Sequence, residues 1–139
     1  MDTSGLLKFY VEEEGSDLAR DLVASADTLA MSRVGYAEAR AGLAKASRTG
    51  RLPEASYRIA RRAFEERWSV ISVVEVSDLI VRQAGDLAER YSLRGFDSIH
   101  LSSGLLFQRE SGEAVTFSAW DERLLDAAEA EGLTAAPNA

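Results

Sequence analysis

The sequence predicts an α/β domain built on a parallel sheet with helices on both faces. Short runs rich in strand formers at 28–32, 70–74 and 114–118 are each followed by a segment of helical periodicity. The intervening segments are long enough to carry the chain back for parallel pairing, which buries a sheet on both faces. With 139 residues and 46% hydrophobic content, one core of ordinary size is expected. The domain is assigned to 1–135 and a frayed tail to 136–139.

After Asp2, the stretch 4–14 places Leu6, Leu7, Tyr10 and Val11 on one helical face, and Gly15 supplies a stop. Ser16 and Asp17 open a second helix through Leu18, Leu22 and Val23. A strand at 28–32 follows, and Ser32 caps a third helix through Ala37, Ala41 and Ala44 to about Ser47. The turn 49–52 leads to Pro53 at the start of a fourth helix ending near Trp68. The β-branched run 70–74 reads as a buried strand. Ser77 or Asp78 opens a helix through Leu79, Ile80, Ala84, Leu87 and Ala88, and a loop at 92–96 returns the chain to Asp97. The next helix is expected from Ser98, with Asp97 as its N-cap, to about Arg109. A turn at Gly112, a strand at 114–118, a helix at 121–131 and a short strand at 133–135 complete the chain.

Composition narrows the chemistry. The absence of cysteine removes disulfides, thiolate catalysis and cysteine-type zinc sites, as suits a reducing cytosol. The longest apolar stretch, 71–81, is interrupted by Glu75 and Asp78, so no membrane span is expected and the protein is read as cytoplasmic. The net charge of −7 is unevenly placed: residues 1–32 carry 2 basic and 7 acidic side chains, 33–67 carry 9 and 4, and 68–139 carry 5 and 12. Only the middle third is basic, so an RNA ligand would run along Arg40, Lys45, Arg48 and Arg51, extended by Arg58, Arg61 and Arg62. The competing reading is that these side chains solvate two helices.

Four acids stand at or near junctions between strand-like and helix-like runs: Asp2, Glu38, Asp97 and Asp121. Open α/β sheets gather the carboxyl ends of their strands at one edge, so acids distant in sequence converge there, and clustered negative charges call for a cation. Glu38 is the most telling, because its neighbours three and four positions away are Val34, Gly35, Ala41 and Gly42. A carboxylate on such a packing face needs a cation, a proton or an arginine; the competing assignment is a surface ion pair with Arg33 or Arg40. Asp97 and Asp121 are each explicable alone as helix caps. Thr3 and Ser4 add hydroxyls beside Asp2, and Ser118 and His100 are assigned supporting positions, His100 by hydrogen bonding near Asp97 or a substrate phosphate. The stripe Tyr57, Ala60, Phe64 and Trp68 reads as core, with an interface as its alternative.

Four segments, DTSGLLKFYVEEE at 2–14, SRVGYAEARAGLAKA at 32–46, YSLRGFDSIHLSSGLL at 91–106 and VTFSAWDERLLDAAEAEGL at 115–133, together resemble PIN domains of the VapC type, the toxin ribonucleases of toxin–antitoxin pairs. The resemblance spans nearly the whole chain. It implies a three-layer fold around a parallel sheet of about five strands, and binding of Mg2+ or Mn2+ by Asp2, Glu38, Asp97 and Asp121, with Ser4 beside them. It further implies an endoribonuclease leaving 5′-phosphate and 3′-hydroxyl ends, held silent by a VapB-like antitoxin and acting as a homodimer. One departure is that only Met1 precedes Asp2, where the family has a central apolar strand. Loss of that strand is expected to expose neighbouring strand edges and leave Asp2 poorly anchored, so either the true start lies upstream or this form binds metal weakly. Two other readings compete: a catalytically impaired PIN module that only binds nucleic acid or protein, and a phospho-acceptor domain, which would require a suitably placed lysine.

Overall fold

The computed structural model describes residues 1–137. Its elements are α1 (Thr3–Leu7), α2 (Ser16–Ala24), β1 (Ala30–Ser32), α3 (Val34–Arg48), α4 (Glu54–Trp68), β2 (Ser72–Val74), α5 (Asp78–Tyr91), α6 (Gly95–Ser111), β3 (Thr116–Ser118), α7 (Glu122–Ala130) and β4 (Thr134–Ala136). Strands and helices alternate as the α/β expectation requires. The described residues form two parallel pairs, β1 with β2 and β3 with β4, in place of one five-stranded sheet.

What joins the pairs is the amino end of the chain. The Met1 ammonium donates to Ala30 O of β1 (3.2 Å), and the Asp2 amide donates to Ser118 O of β3 (2.8 Å). Asp2 is thus tied to the sheet by its backbone and is buried, which corrects the expectation of poor anchoring. Beyond Met1 the edges of β1 and β3 diverge around a cleft of about 590 Å3, lined in part by Leu22, Val23, Leu29, Phe107 and Val115.

Several boundaries differ from expectation for local reasons. The first helix closes at Leu7, one turn after Asp2 caps it, and Lys8 turns back so that its ammonium reaches Glu13 and the Glu14 carbonyl. Ser32 does not cap α3, because it is paired in β1. Helix α6 starts at Gly95, and Asp97 lies in its first turn instead of at the cap: the Ser98 amide already bonds to Arg94 O. The 70–74 strand was expected to be buried, yet only 72–74 pair and Val70 is 81% exposed. Ala136 belongs to β4 and is buried, so the frayed tail does not begin there. Residues 138–139 of that tail lie outside the described residues.

Two apolar clusters divide the interior. One gathers Leu6, Met31, Ala39, Leu43 and Phe64 from α1, β1, α3 and α4; the other gathers Leu87, Leu101, Phe117, Leu124 and Leu133 around α5, α6, β3 and α7. The Tyr57–Trp68 stripe is core as expected, with Phe64 fully buried against the rings of Tyr10, Tyr36 and Trp68. The seam between the clusters is where α1, α3 and α6 meet.

A five-residue β-branched segment joined ahead of Met1 is expected to run through the cleft, pair with the open edges of β1 and β3 and raise the melting temperature by roughly 5 °C. Differential scanning calorimetry of the extended and unextended chains would show it, and an unchanged midpoint would mean the cleft does not take a strand.

Candidate metal centre

Each acid stands on a different element: Asp2 and Asp121 at the N-caps of α1 and α7, Glu38 within α3 and Asp97 within α6. Asp2 is the N-cap of α1: its Oδ1 accepts from the Gly5 amide (3.1 Å), and the Ser4 hydroxyl donates to both carboxylate oxygens (2.8 and 2.9 Å). Ser4 therefore stands beside Asp2 as expected. Burial drives the Asp2 pKa above its usual value, opposed by these hydrogen bonds and by the nearby charge of His100. A carboxylate in that state is short of positive charge.

Glu38 projects from the second turn of α3. Its Oε1 receives the Thr3 hydroxyl at 2.9 Å and His100 Nε2 at 2.6 Å, and the two donors are 3.3 Å apart. Because a carboxylate only accepts, the Nε2 nitrogen carries the proton. Burial alone would raise the Glu38 pKa, but the bonds from His100 and Thr3, with the charges of His100 and Arg94, hold it below the ordinary glutamate value. The competing surface pairs do not form, since Arg33 bonds to Glu75 and Arg40 to Glu65 and Tyr36. Gly35, one turn earlier, makes this packing possible: a Cβ there would lie 3.0 Å from Met31, with His100 and Thr3 each at 3.7 Å.

His100 was expected near Asp97 or a phosphate; it bonds instead to Glu38. The ring is 4% exposed, and its Nδ1 has no partner among the described residues. The Ser32 hydroxyl is likewise unpartnered, and both residues line a cavity of about 30 Å3, room for one water. Thr3, expected with Ser4 to offer a hydroxyl to a carboxylate, does so to Glu38, whereas Ser32 was read from the sequence only as a helix cap.

Asp97 and Asp121 line one groove at the amino ends of α6 and α7. Asp97 Oδ2 accepts from Arg94 Nε at 2.8 Å, and Asp121 Oδ1 caps α7 through the Leu124 amide at 2.9 Å, as its cap reading predicted. The Ser118 hydroxyl, two residues after Thr116 in β3, is buried without a partner among the described residues. The basic side chains proposed for RNA are largely engaged: Arg40 with Glu65, Arg51 with Glu13, Arg58 with Glu54 and Arg62 with Glu66. Lys45 and Arg48 are exposed in the last turn of α3.

Do these residues fit a divalent cation? The donors are all carboxylate and hydroxyl oxygens, the chemistry that Mg2+ and Mn2+ prefer. The buried Asp2 carboxylate and the orphaned Ser118 hydroxyl are the partners a hydrated cation would satisfy. Among the described residues, no three acids or histidines stand together as a finished cage. Magnesium keeps several waters and needs only one or two carboxylates, so the donor set fits without one.

Parallel strand pairs alternating with helices, with Asp97 and Asp121 in one groove, place the chain in the α/β class. The chain matches the PIN domain family over residues 1–129 and belongs to that family. Within it the chain is of the VapC type: it is 36% identical over 136 residues to Ribonuclease VapC45 of Mycobacterium tuberculosis (strain CDC 1551 / Oshkosh) and equally to Ribonuclease VapC49 of M. tuberculosis (strain ATCC 25618 / H37Rv). Each alignment covers 98% of this chain and 92% of the relative.

The raised Asp2 pKa fixes the sign of a stability effect. A group whose folded pKa exceeds its unfolded value contributes stability that is complete below the unfolded value and is lost as pH rises through the folded one. Metal-free Asp2→Asn, which keeps an N-cap acceptor, is therefore expected to melt above the parent at pH 7, by roughly 2–4 °C. The gap should close as pH falls toward the unfolded aspartate pKa, and a constant gap between pH 4 and 8 would contradict the assignment.

Proposed function

We propose that this chain is a divalent-metal-dependent endoribonuclease, the toxin of a type II toxin–antitoxin system. The observation that supports the reading is the approach of acids from distant elements: Asp97 and Asp121 line one groove, and Glu38 is bonded by Thr3, next to Asp2, and by His100, one turn beyond Asp97. Both relatives are named as ribonucleases, which points the same way. The proposed cofactor is Mg2+ or Mn2+, the proposed partners are RNA, a VapB-like antitoxin and a second copy of the chain, and no helix among the described residues is long and apolar enough to cross a membrane.

In this reading Asp2, Asp97 and Asp121 hold the cation directly or through water, and Glu38 holds it or orients the attacking water. The cation, when bound, would supply charge stabilisation at the phosphate and an acidified water. The protein's own part is placement. Ser4 and Gly5 fix the Asp2 carboxylate, and the α7 amide fixes Asp121. Thr3 and His100 together occupy Glu38 Oε1, which leaves Oε2 as the oxygen able to take a further proton or ligand. The exposed arginine pairs of α3 and α4 hold little energy each and can exchange for phosphates.

The purified protein is expected to cleave single-stranded RNA with added Mg2+ or Mn2+ and to stop with EDTA. Asp97→Asn should lower kcat by about a hundredfold or more with the circular dichroism spectrum unchanged. Full cleavage by that variant would remove Asp97 from the site. RNA retention without metal-dependent cleavage would establish the binding-only alternative.

His100 provides a separate check, because it acts on Glu38 and not on substrate. His100→Ala should lower kcat about 10- to 100-fold, the usual cost of losing such a supporting bond, with KM for RNA little altered. His100→Gln, able to donate from a similar position, should recover much of it. Equal loss in both variants would assign His100 to packing alone.

A further inference from the structure

The groove beside Asp97 and Asp121, about 580 Å3, also holds two cations, Arg94 and Arg123. Arg94 occupies the N-cap position of α6 and bends back so that its Nε donates to Asp97 Oδ2 at 2.8 Å. The exposures of the partners differ sharply: the arginine side chain is 82% exposed and the aspartate 18%. A solvent-borne guanidinium therefore covers a mostly buried carboxylate.

We infer that Arg94 is an exchangeable counter-ion: it neutralises Asp97 in the metal-free protein, yields that carboxylate to a divalent cation, and then holds an RNA phosphate in the groove. The inference rests on the nuclease reading above. An exposed pair is weak enough to break without disturbing the fold, and the planar guanidinium suits phosphate oxygens as well as a carboxylate. Arg123, which donates to Ser92 O at 3.1 Å, flanks the same groove. The groove carries Asp97, Asp121, Glu122 and Asp126 against these two arginines, so a phosphate meets net repulsion until a cation enters. Metal and RNA should accordingly raise each other's affinity.

The exchange has a sign that a structural arginine lacks. In calorimetric titration of metal-free protein with Mn2+, Arg94→Ala should bind about two- to fivefold tighter than the parent, the range set by one exposed ion pair. Arg94→Lys should fall between, and Arg82→Ala, which breaks a pair with Asp78 on α5, should match the parent. Weaker or unchanged Mn2+ binding by Arg94→Ala overturns the exchange. Without metal, Arg94→Ala should lower the melting temperature of the parent but not of Asp97→Asn; equal lowering in both backgrounds also overturns it. At saturating Mn2+, KM for a single-stranded RNA should rise about tenfold in Arg94→Ala, as for loss of a charge-assisted bond, with kcat within about twofold; an unchanged KM removes the phosphate role. If the parent cleaves no RNA at all, the nuclease reading fails, while the Mn2+ titration and the metal-free melting cycle still decide the exchange.

Discussion

The bond between His100 Nε2 and Glu38 Oε1 crosses the seam between the two halves of this molecule. Glu38 rides on α3 with the first apolar cluster, and His100 rides on α6 with the second. Carboxylates near such a seam are costly to keep charged as water is excluded. Thr3 and His100 counter this on Glu38, Ser4 and Gly5 on Asp2, the α7 amide on Asp121, and Arg94 on Asp97. Each acid has its own local partner, and the partners differ in kind.

That difference sorts the acids by how firmly they are held. Asp2, Glu38 and Asp121 are fixed by backbone amides, hydroxyls or a buried ring, groups that cannot leave without local unfolding. Asp97 is held by an arginine that is mostly in water. The seam therefore has one soft position among rigid ones. Such an arrangement suits the exchange of charge partner proposed for Asp97.

Backbone pairing at the chain's start serves the same end. Met1 and Asp2 bridge β1 and β3 with two hydrogen bonds, and the second of these places the Asp2 carboxylate at the carboxyl end of β3. Small residues complete the approach. Gly35 and Gly42 on α3 let α1 and α6 come close, and the Ser102 hydroxyl bonds to Ile80 O where α5 and α6 pack.

Much of this was legible in the residues alone. Hydrophobic periodicity and capping residues located every helix, because those signals are local; Ser77 and Asp121 cap where they were expected to. Ser4 beside Asp2 and the cap role of Asp121 were also legible, because both signals are local to their motifs. Boundaries set by pairing were not. Whether Val70 is buried, whether Ser32 caps or pairs, and whether Asp97 caps α6 or sits one turn inside depend on neighbours far along the chain. The partner of each acid belongs to the same category. Composition made Arg33 and Arg40 candidates for Glu38, but Glu75 and Glu65 claim them, and a histidine 62 residues away takes the carboxylate. Residue types and their spacing determine which groups are able to interact; only the packing of α1 and α6 against α3 decides which of them come within hydrogen-bonding distance.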